Sequence, residues 1–389
     1  MTSSLETFYC PCPRGLENAL MDELSLLGAT QISARESGAG FQGDWTVAMR
    51  VNLESRLASR VLWQVAEGHY HSEQDLYQQA RALPWSDWFD VKRTLKIDTR
   101  AHHCPLRSLD FVTLRIKDAV CDHFRDKTGE RPSIDTREPD LRLHLFLSAE
   151  RFHLSLDTSG DALFKRGERP APGEAPIKRN LAAGLLALAG WKPGIPLLDA
   201  FCGSGTVLIE AAEQCLNQAP GLGRTFAFQH LKPCPTAACW PALEQAARQR
   251  QRAPEPLPLW GYDIKGDALE RARLNLKTAG LESCVTLKQV NMLESTAPAT
   301  SGLMVSNLPY GVRLGEQAEL ERFYPQLGNV LKQRYSNWTA CLLSADMGFP
   351  KLLRLKVEKR TPVYNGALEC RLFRIPLVSG SNRNNPATL

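Results

Sequence analysis

The segment Leu197-Leu198-Asp199-Ala200-Phe201-Cys202-Gly203-Ser204-Gly205-Thr206-Val207-Leu208-Ile209-Glu210 limits what this chain can become more than any other. An apolar run passes through two glycines straight into a helical pattern, the junction at which an open parallel sheet lets a ligand approach backbone at its carboxyl edge. Strand-like and helical stretches then alternate, with strands at 196–200, 259–263, 285–290, 303–306 and 340–344 and helices starting at Thr206, Ala268 and Glu316. That alternation predicts a doubly wound α/β sheet with helices on both faces. Asn365-Gly366, between the runs 355–363 and 368–377, predicts a tight hairpin that finishes the sheet with an antiparallel pair.

The first half reads differently. Leu16, Leu20 and Leu24 recur at every fourth position before Gly28, which predicts an amphipathic helix with a glycine stop. Further helices are expected over 53–66 and 109–124, and strands over 94–99 and 141–147, giving an α+β module. Residues 159–176, rich in glycine, proline and charge, mark a junction, and residues 379–389, rich in Ser, Asn and Pro, read as a flexible tail. A length of 389 residues suits two or three domains, and a net charge of +5 admits an anionic partner without requiring one. Eleven cysteines in no disulfide or zinc-site spacing, and a start without a basic or apolar leader pattern, point to a reduced cytoplasmic protein that binds no metal. The longest apolar stretch, at 181–191, falls short of the roughly 20 residues that cross a bilayer, so no membrane partner is expected.

A dinucleotide site asks for a third glycine and a phosphate loop for a lysine. The turn from Asp199 through Phe201, Cys202, Gly203, Ser204 and Gly205 to Thr206 has neither. A cofactor without phosphate, S-adenosylmethionine, suits it, although tight backbone packing alone also accounts for such glycines. Asp263 ends the next apolar strand, where a carboxylate can accept from both ribose hydroxyls or start a helix, and Ile264 follows it. The third strand ends at Asn291-Met292, where the Asn291 amide oxygen can accept from an adenine amine or serve a plain turn.

Asn307-Leu308-Pro309-Tyr310 leaves the fourth strand at the same edge. An exocyclic base amine is a poor nucleophile because its lone pair is delocalised into the ring. Two acceptors aimed at its hydrogens favour the tetrahedral nitrogen that attacks a methyl group. The Asn307 side-chain oxygen and the Leu308 backbone carbonyl are the expected acceptors, with Tyr310 as the ring on which the base stacks and Pro309 as the stiffener. A sulfonium leaving group is already activated, so alignment does most of the work and neither metal nor strong base is called for. The alternative is an ordinary proline turn.

These motifs resemble the THUMP-domain RNA (guanine-N2)-methyltransferases of the RlmL group, which act on 23S ribosomal RNA. The resemblance also takes in Arg14-Gly15-Leu16-Glu17, Ser159-Gly160, Lys165-Arg166-Gly167, Ala175-Pro176-Ile177-Lys178, the stretch from Ala219 to Phe228, and Asn365-Gly366-Ala367-Leu368-Glu369-Cys370-Arg371. It implies a Rossmann-like class I methyltransferase domain over 166–378, preceded by a ferredoxin-like region at 1–65 that overlaps a THUMP domain at 45–158. The reaction it implies is methyl transfer to a guanine N2, with 23S ribosomal RNA or an assembly intermediate of the large subunit as partner. Some positions depart from the pattern: Leu308 stands for a proline, Asn291 for an acid, and Glu168 and Arg179 differ near the linker. Larger forms of the family carry a second methyltransferase domain, which is not expected here, so a single modification is implied.

On the RNA side, Arg93, Lys96, Arg100, Arg107, Arg115 and Lys117 cluster just beyond Trp85, Trp88 and Phe89, a grouping that suits phosphate contacts. Interleaved Asp110, Asp118 and Asp122 make a solvated helix face the alternative. Rival functions are a tRNA guanine-N2 methyltransferase, a DNA adenine-N6 enzyme, a non-catalytic RNA-binding ribosome-assembly factor, and an NAD oxidoreductase, which would lack its third glycine.

Overall fold

The computed structural model describes residues 5–167, 177–309 and 316–378. In chain order the first part runs β1 (Glu6–Pro11), α1 (Glu17–Leu26), β2 (Thr30–Arg35), β3 (Gly38–Gly43), α2 (Trp45–Glu54), β4 (Leu62–His69), α3 (Glu73–Arg81), α4 (Trp85–Trp88), β5 (Leu95–Ala101), α5 (Leu109–Thr128), β6 (Leu141–Leu147) and β7 (Arg151–Asp157). The second runs α6 (Arg179–Ala189), β8 (Leu197–Asp199), α7 (Thr206–Cys215), α8 (Thr236–Gln249), β9 (Leu259–Asp263), α9 (Gly266–Thr278), β10 (Thr286–Gln289), β11 (Gly302–Asn307), α10 (Glu316–Arg334), β12 (Trp338–Ser344), α11 (Phe349–Leu353), β13 (Lys359–Asn365) and β14 (Leu368–Leu377). These elements divide into two units, one of Met1–Cys12, Leu20–Lys165 and Ala219–Gln249, the other of Pro13–Ala19, Arg166–Gln218 and Arg250–Leu389.

The first unit is built on a seven-stranded sheet ordered β2-β3-β1-β4-β7-β6-β5, with only the β5–β6 pair parallel. Leu141, Leu143, Leu145 and Leu147 alternate inward along β6, and α5 buries Val112, Ile116, Ala119 and Val120. Phe41, Phe8, Trp45, Trp63, Trp88, Trp85, Phe89 and Phe124 form an unbroken array with successive ring centroids 5.0 to 6.2 Å apart. Each such pair adds about 0.5–1.5 kcal/mol beyond the area it buries. Trp85 and Phe89 are therefore core residues, and the expectation of an aromatic group beside the basic cluster does not hold for them.

The helix expected over 53–66 does not form. Leu53, Leu57 and Val61 are spaced like a helical face, but Asp44 starts α2 earlier by accepting from the Val47 N–H at 2.9 Å. The helix then stops at Ser55, whose hydroxyl donates to the Glu23 carboxylate at 2.5 Å. Residues of β4 instead fill the place between β1 and β7, a tertiary demand that outweighs local spacing.

Residues 219–249 interrupt the second unit in sequence and pack with the first. The Gly221 N–H donates to the Leu53 carbonyl at 2.8 Å, and a Cβ on Gly221 would lie only 2.8 Å from the Asn52 oxygen. Arg224 spreads its guanidinium over the carbonyls of Asp161, Ala162, Leu163 and Lys165 at 2.9 to 3.3 Å. Phe226, Phe228 and Trp240 make a closed aromatic triangle. The motif from Ala219 to Phe228 is thus a packing device.

The second unit has a seven-stranded sheet ordered β10-β9-β8-β11-β12-β14-β13, parallel through its first five strands and antiparallel at β14 and β13, with helices on its faces as expected. Strand order reverses between β8 and β11, the place where such sheets open a crevice at their carboxyl edge. Asn365-Gly366 makes the expected hairpin, with Gly366 at a φ of +65°. A strap from Pro13–Ala19 lies on the edge strand β13: the Tyr364 N–H donates to the Arg14 carbonyl at 3.0 Å, and the Arg14 guanidinium stands 4.8 Å above the Tyr364 ring. Gly15 has a φ of +95°, and any Cβ there would collide with the Pro362 carbonyl, so only glycine fits. Below the sheet edge, Arg166 places one guanidinium nitrogen 3.1 Å from both Glu210 oxygens, and Arg179 bridges Glu210 and Glu213. Both arginines and Glu210 are buried. Glu168 and the tail at 379–389 lie outside the described residues. Among the described residues, no helix is long and apolar enough to cross a membrane.

Candidate active site

The crevice between β8 and β11 is closed from below by a bridge of side chains. Ser306, at the end of β11, accepts from the Ala200 N–H at 2.7 Å and donates to the Asp199 carboxyl, which also accepts from the Phe201 N–H at 3.3 Å. Asp199 is 2% exposed. Its carboxyl pins the floor of the turn through these bonds. Burial pushes its carboxyl up to about 7, with the nearby Asp263 charge adding to the rise and the Ser306 and Phe201 hydrogen bonds opposing it.

The folded protein therefore holds this proton more tightly than the unfolded chain, whose carboxyl titrates near about 3.9. Stability from this group is fully present at low pH and falls as pH rises between about 4 and 7, by at most about 1.4 kcal/mol per pH unit. Asp199→Asn is expected to remove that slope. Urea midpoints of both proteins at pH 5 and pH 8 check it, and an equal pH response in the two would refute the assignment.

Gly203 and Gly205 adopt φ of +53° and +80°, and nothing lies within 4 Å of a Cβ built on Gly203. That open space sits above the turn. Asp263 faces it from β9, its carboxylate accepting from the Gly203 N–H at 3.0 Å and the Lys265 N–H at 2.9 Å, with further lone pairs for two hydroxyls. Ile264 follows with 59% of its surface exposed, an apolar platform at the strand end. These features fit the ribose and base of a nucleoside cofactor. Other expected contacts lie deeper: Cys202 and Met292 are buried, the Ser204 carbonyl accepts from Asn275 at 3.1 Å, and Thr206 begins α7. Burial raises the Cys202 thiol well above its ordinary range, so it serves packing. Phe201 meets Phe323 edge-on at 6.1 Å. The Asn291 oxygen accepts from the Leu293 N–H at 3.0 Å and caps a short 3₁₀ turn, which commits one of its two lone pairs.

Asn307 ends β11 with its side-chain oxygen buried and without a hydrogen-bond partner among the described residues. A buried acceptor left this way costs about 1–3 kcal/mol, which marks it as a group awaiting a donor. Leu308 explains its own departure from proline. Its N–H donates to the Leu343 carbonyl at 3.0 Å, extending the ladder by one bond that proline cannot make, and its side chain is 1% exposed in the core. Pro309 is held through its carbonyl by the Tyr324 hydroxyl at 3.3 Å. Tyr324 is fully buried, which pushes its phenol up to about 12 and keeps it a donor. Sequence reading missed Ser306 and Tyr324, because a serine in a strand and a tyrosine on an amphipathic helix carry no pattern of their own. Tyr310 lies outside the described residues.

The basic cluster in the first unit is largely neutralised. Arg93 pairs with Asp140 at 3.6 Å, Lys96 with Asp98 at 3.2 Å and Lys117 with Asp118 at 3.0 Å. Arg115 stacks 4.1 Å over Tyr77 and donates to Gln74. Arg100 and Arg107 are exposed and make no ion pair among the described residues. All eleven cysteines are free, and no group of three or more His, Cys, Asp or Glu among the described residues could hold a metal ion. An open hollow of about 920 Å³, lined by Gly194, Gly302, Lys359 and Arg374 among others, lies at the opposite, amino edge of the strands and shares no residue with the site.

Residues 166–374 match the RMKL-like methyltransferase domain. The chain belongs to this family. A THUMP domain matches at 70–157 and the RlmL ferredoxin-like domain at 7–62. Slr0064 of Synechocystis sp., by its name a candidate RNA methyltransferase, is 37% identical over 97% of this chain and 98% of its own length. Ribosomal RNA large subunit methyltransferase K/L of Syntrophotalea carbinolica is 40% identical over 95% of this chain, which spans 53% of that relative. The solved structure of SMU.472, named as a candidate methyltransferase and bound to SAH, superposes with a TM-score of 0.88 at 27% identity, covering 98% of this chain and 100% of that one. S-adenosylmethionine is the methyl donor of this domain.

Proposed function

We propose that the chain transfers a methyl group from S-adenosylmethionine to the exocyclic N2 amine of a guanine in 23S ribosomal RNA. The observation that carries the reading is the buried Asn307 oxygen at the carboxyl end of β11, which has no hydrogen-bond partner among the described residues. It and the Leu308 carbonyl are two acceptors on consecutive residues, able to take both hydrogens of one amine and so turn its lone pair toward the methyl group. S-adenosylmethionine supplies, when bound, a methyl group on a sulfonium sulfur. Leu308 and Tyr324 fix the acceptors through the Leu343 and Pro309 bonds, so the loop pays little reorganisation at the moment of transfer. Asp263 holds the ribose hydroxyls and Ile264 packs on the adenine. The N–CH3 bond would form as the S–CH3 bond breaks, leaving S-adenosylhomocysteine; the amine gives its surplus proton to water, and Asn307 keeps the remaining N–H aligned.

A ribosomal target is supported by the THUMP match and by the names of the K/L relatives; the partner would be 23S RNA or a large-subunit assembly intermediate, met in the cytoplasm. Arg100 and Arg107, which make no ion pair among the described residues, suit phosphate contacts; Arg93, Lys96, Arg115 and Lys117 would have to exchange their present partners for RNA. The test is incubation with labelled S-adenosylmethionine and undermodified 23S RNA, tRNA or DNA, followed by nucleoside analysis. N2-methylguanosine in 23S RNA alone is expected. Label confined to tRNA overturns the ribosomal target, and cofactor binding without label on any substrate favours an assembly factor.

A further inference from the structure

The carboxyl edge carries one more group able to touch a base. Strands β11 and β12 run parallel with Asn307 beside Leu343, so the chain leaving β12 through Ser344, Asp346 and Met347 emerges next to Leu308 and Pro309. Tyr324 ties the two exits together: its hydroxyl donates to Pro309 and accepts from Ser344, and the Asp346 charge acts on the same phenol. Asp346 is itself fixed. Its N–H donates to the Ser344 hydroxyl oxygen at 3.0 Å, and its Oδ1 accepts from the Gly348 N–H at 2.7 Å. Its Oδ2 receives no hydrogen bond among the described residues, and the side chain is half-buried. The nearby cation is engaged elsewhere: Arg371, opposite Ser344 on β14, lies 2.6 Å from Glu369 and donates to the Cys370 carbonyl. Met347, next in the chain, is 49% exposed and offers an apolar surface at the same rim.

Guanine presents two donors side by side, the N2 amine and N1–H, whereas adenine and 2,6-diaminopurine carry an acceptor at N1. With the amine on Asn307 and Leu308, the neighbouring N1–H needs an acceptor of its own, and a carboxylate there would repel a base whose N1 is a lone pair. We propose that Asp346 is a specificity-determining residue that selects guanine by accepting from N1–H. The inference rests on the guanine-N2 reading above.

The test uses the full chain and an RNA fragment carrying either guanine or 2,6-diaminopurine at the methylated position. Wild type should prefer guanine by about 100-fold in kcat/KM. Asp346→Asn keeps an oxygen for the Gly348 N–H while gaining donors for N1, so it should lose about 100-fold on guanine and reverse the preference. Asp346→Ala should abolish the preference without reversing it. In both variants the KM for S-adenosylmethionine should stay at the wild-type value. A guanine preference retained in both variants, or an equal loss on both bases, overturns the proposal. A wild-type product other than N2-methylguanosine overturns the parent reading and this inference with it.

Discussion

Asn307→Ala is expected to lower kcat by 10²- to 10³-fold or more while leaving the affinity for S-adenosylmethionine within a few-fold of wild type. The same substitution should not destabilise the protein. Removing a buried oxygen that has no partner among the described residues relieves a penalty of about 1–3 kcal/mol, so the melting temperature should hold or rise. Lost turnover with retained stability is the signature of a group kept for its substrate. Single-turnover kinetics, cofactor titration and thermal unfolding of one preparation measure all three quantities. A drop in cofactor affinity as large as the drop in kcat would instead make Asn307 a residue of the cofactor pocket.

Glu210→Gln is expected to destabilise the protein by about 3–5 kcal/mol, read as a lower urea midpoint. Glu210 is fully buried on α7 between Arg166 and Arg179, whose side chains are 3% and 5% exposed, so the near-isosteric amide removes one of the two carboxylates that, with Glu213, compensate two desolvated guanidiniums. The size of the effect comes from what is left behind, uncompensated buried charge, rather than from the worth of the pair itself. Glu358, half-exposed beside Arg374, gives the contrast: Glu358→Gln should cost less than about 1 kcal/mol, because water already screens that pair. Equal effects at the two positions would show that burial is not what sets the energy at Glu210.

The second unit was legible because the inner parallel strands β8, β9, β11 and β12 are largely buried and announce themselves as short apolar runs. Strand β9 falls at the expected 259–263, and the Asn365-Gly366 hairpin closes the sheet. The first unit was less so. Leu53, Leu57 and Val61 mimic a helix, and only the vacancy between β1 and β7 decides otherwise. Within the site, the glycine turn, Asp263 and Asn307 carry local patterns, but the burial of Asp199 and its tie to Ser306 do not show in the sequence. Tyr324 and Ser306 act across the sheet on residues far away in sequence, and no spacing records that. The conspicuous motifs at Arg14-Gly15-Leu16 and Ala219 to Phe228 turn out to meet carbonyls and ring faces.

The return of Ala219–Gln249 to the first unit also sets an order of events during synthesis. The first unit cannot be completed when Lys165 is made, since the residues that cover the end of α2 and brace the carbonyls of 161–165 have not yet been translated. At roughly 5 to 20 residues per second the wait for Gln249 lasts about 4 to 17 seconds, during which every strand of the second unit's sheet but β8 is still missing. The nascent chain thus holds two unfinished cores at once, and the first unit can close well before β14, the last strand of the second, has been translated.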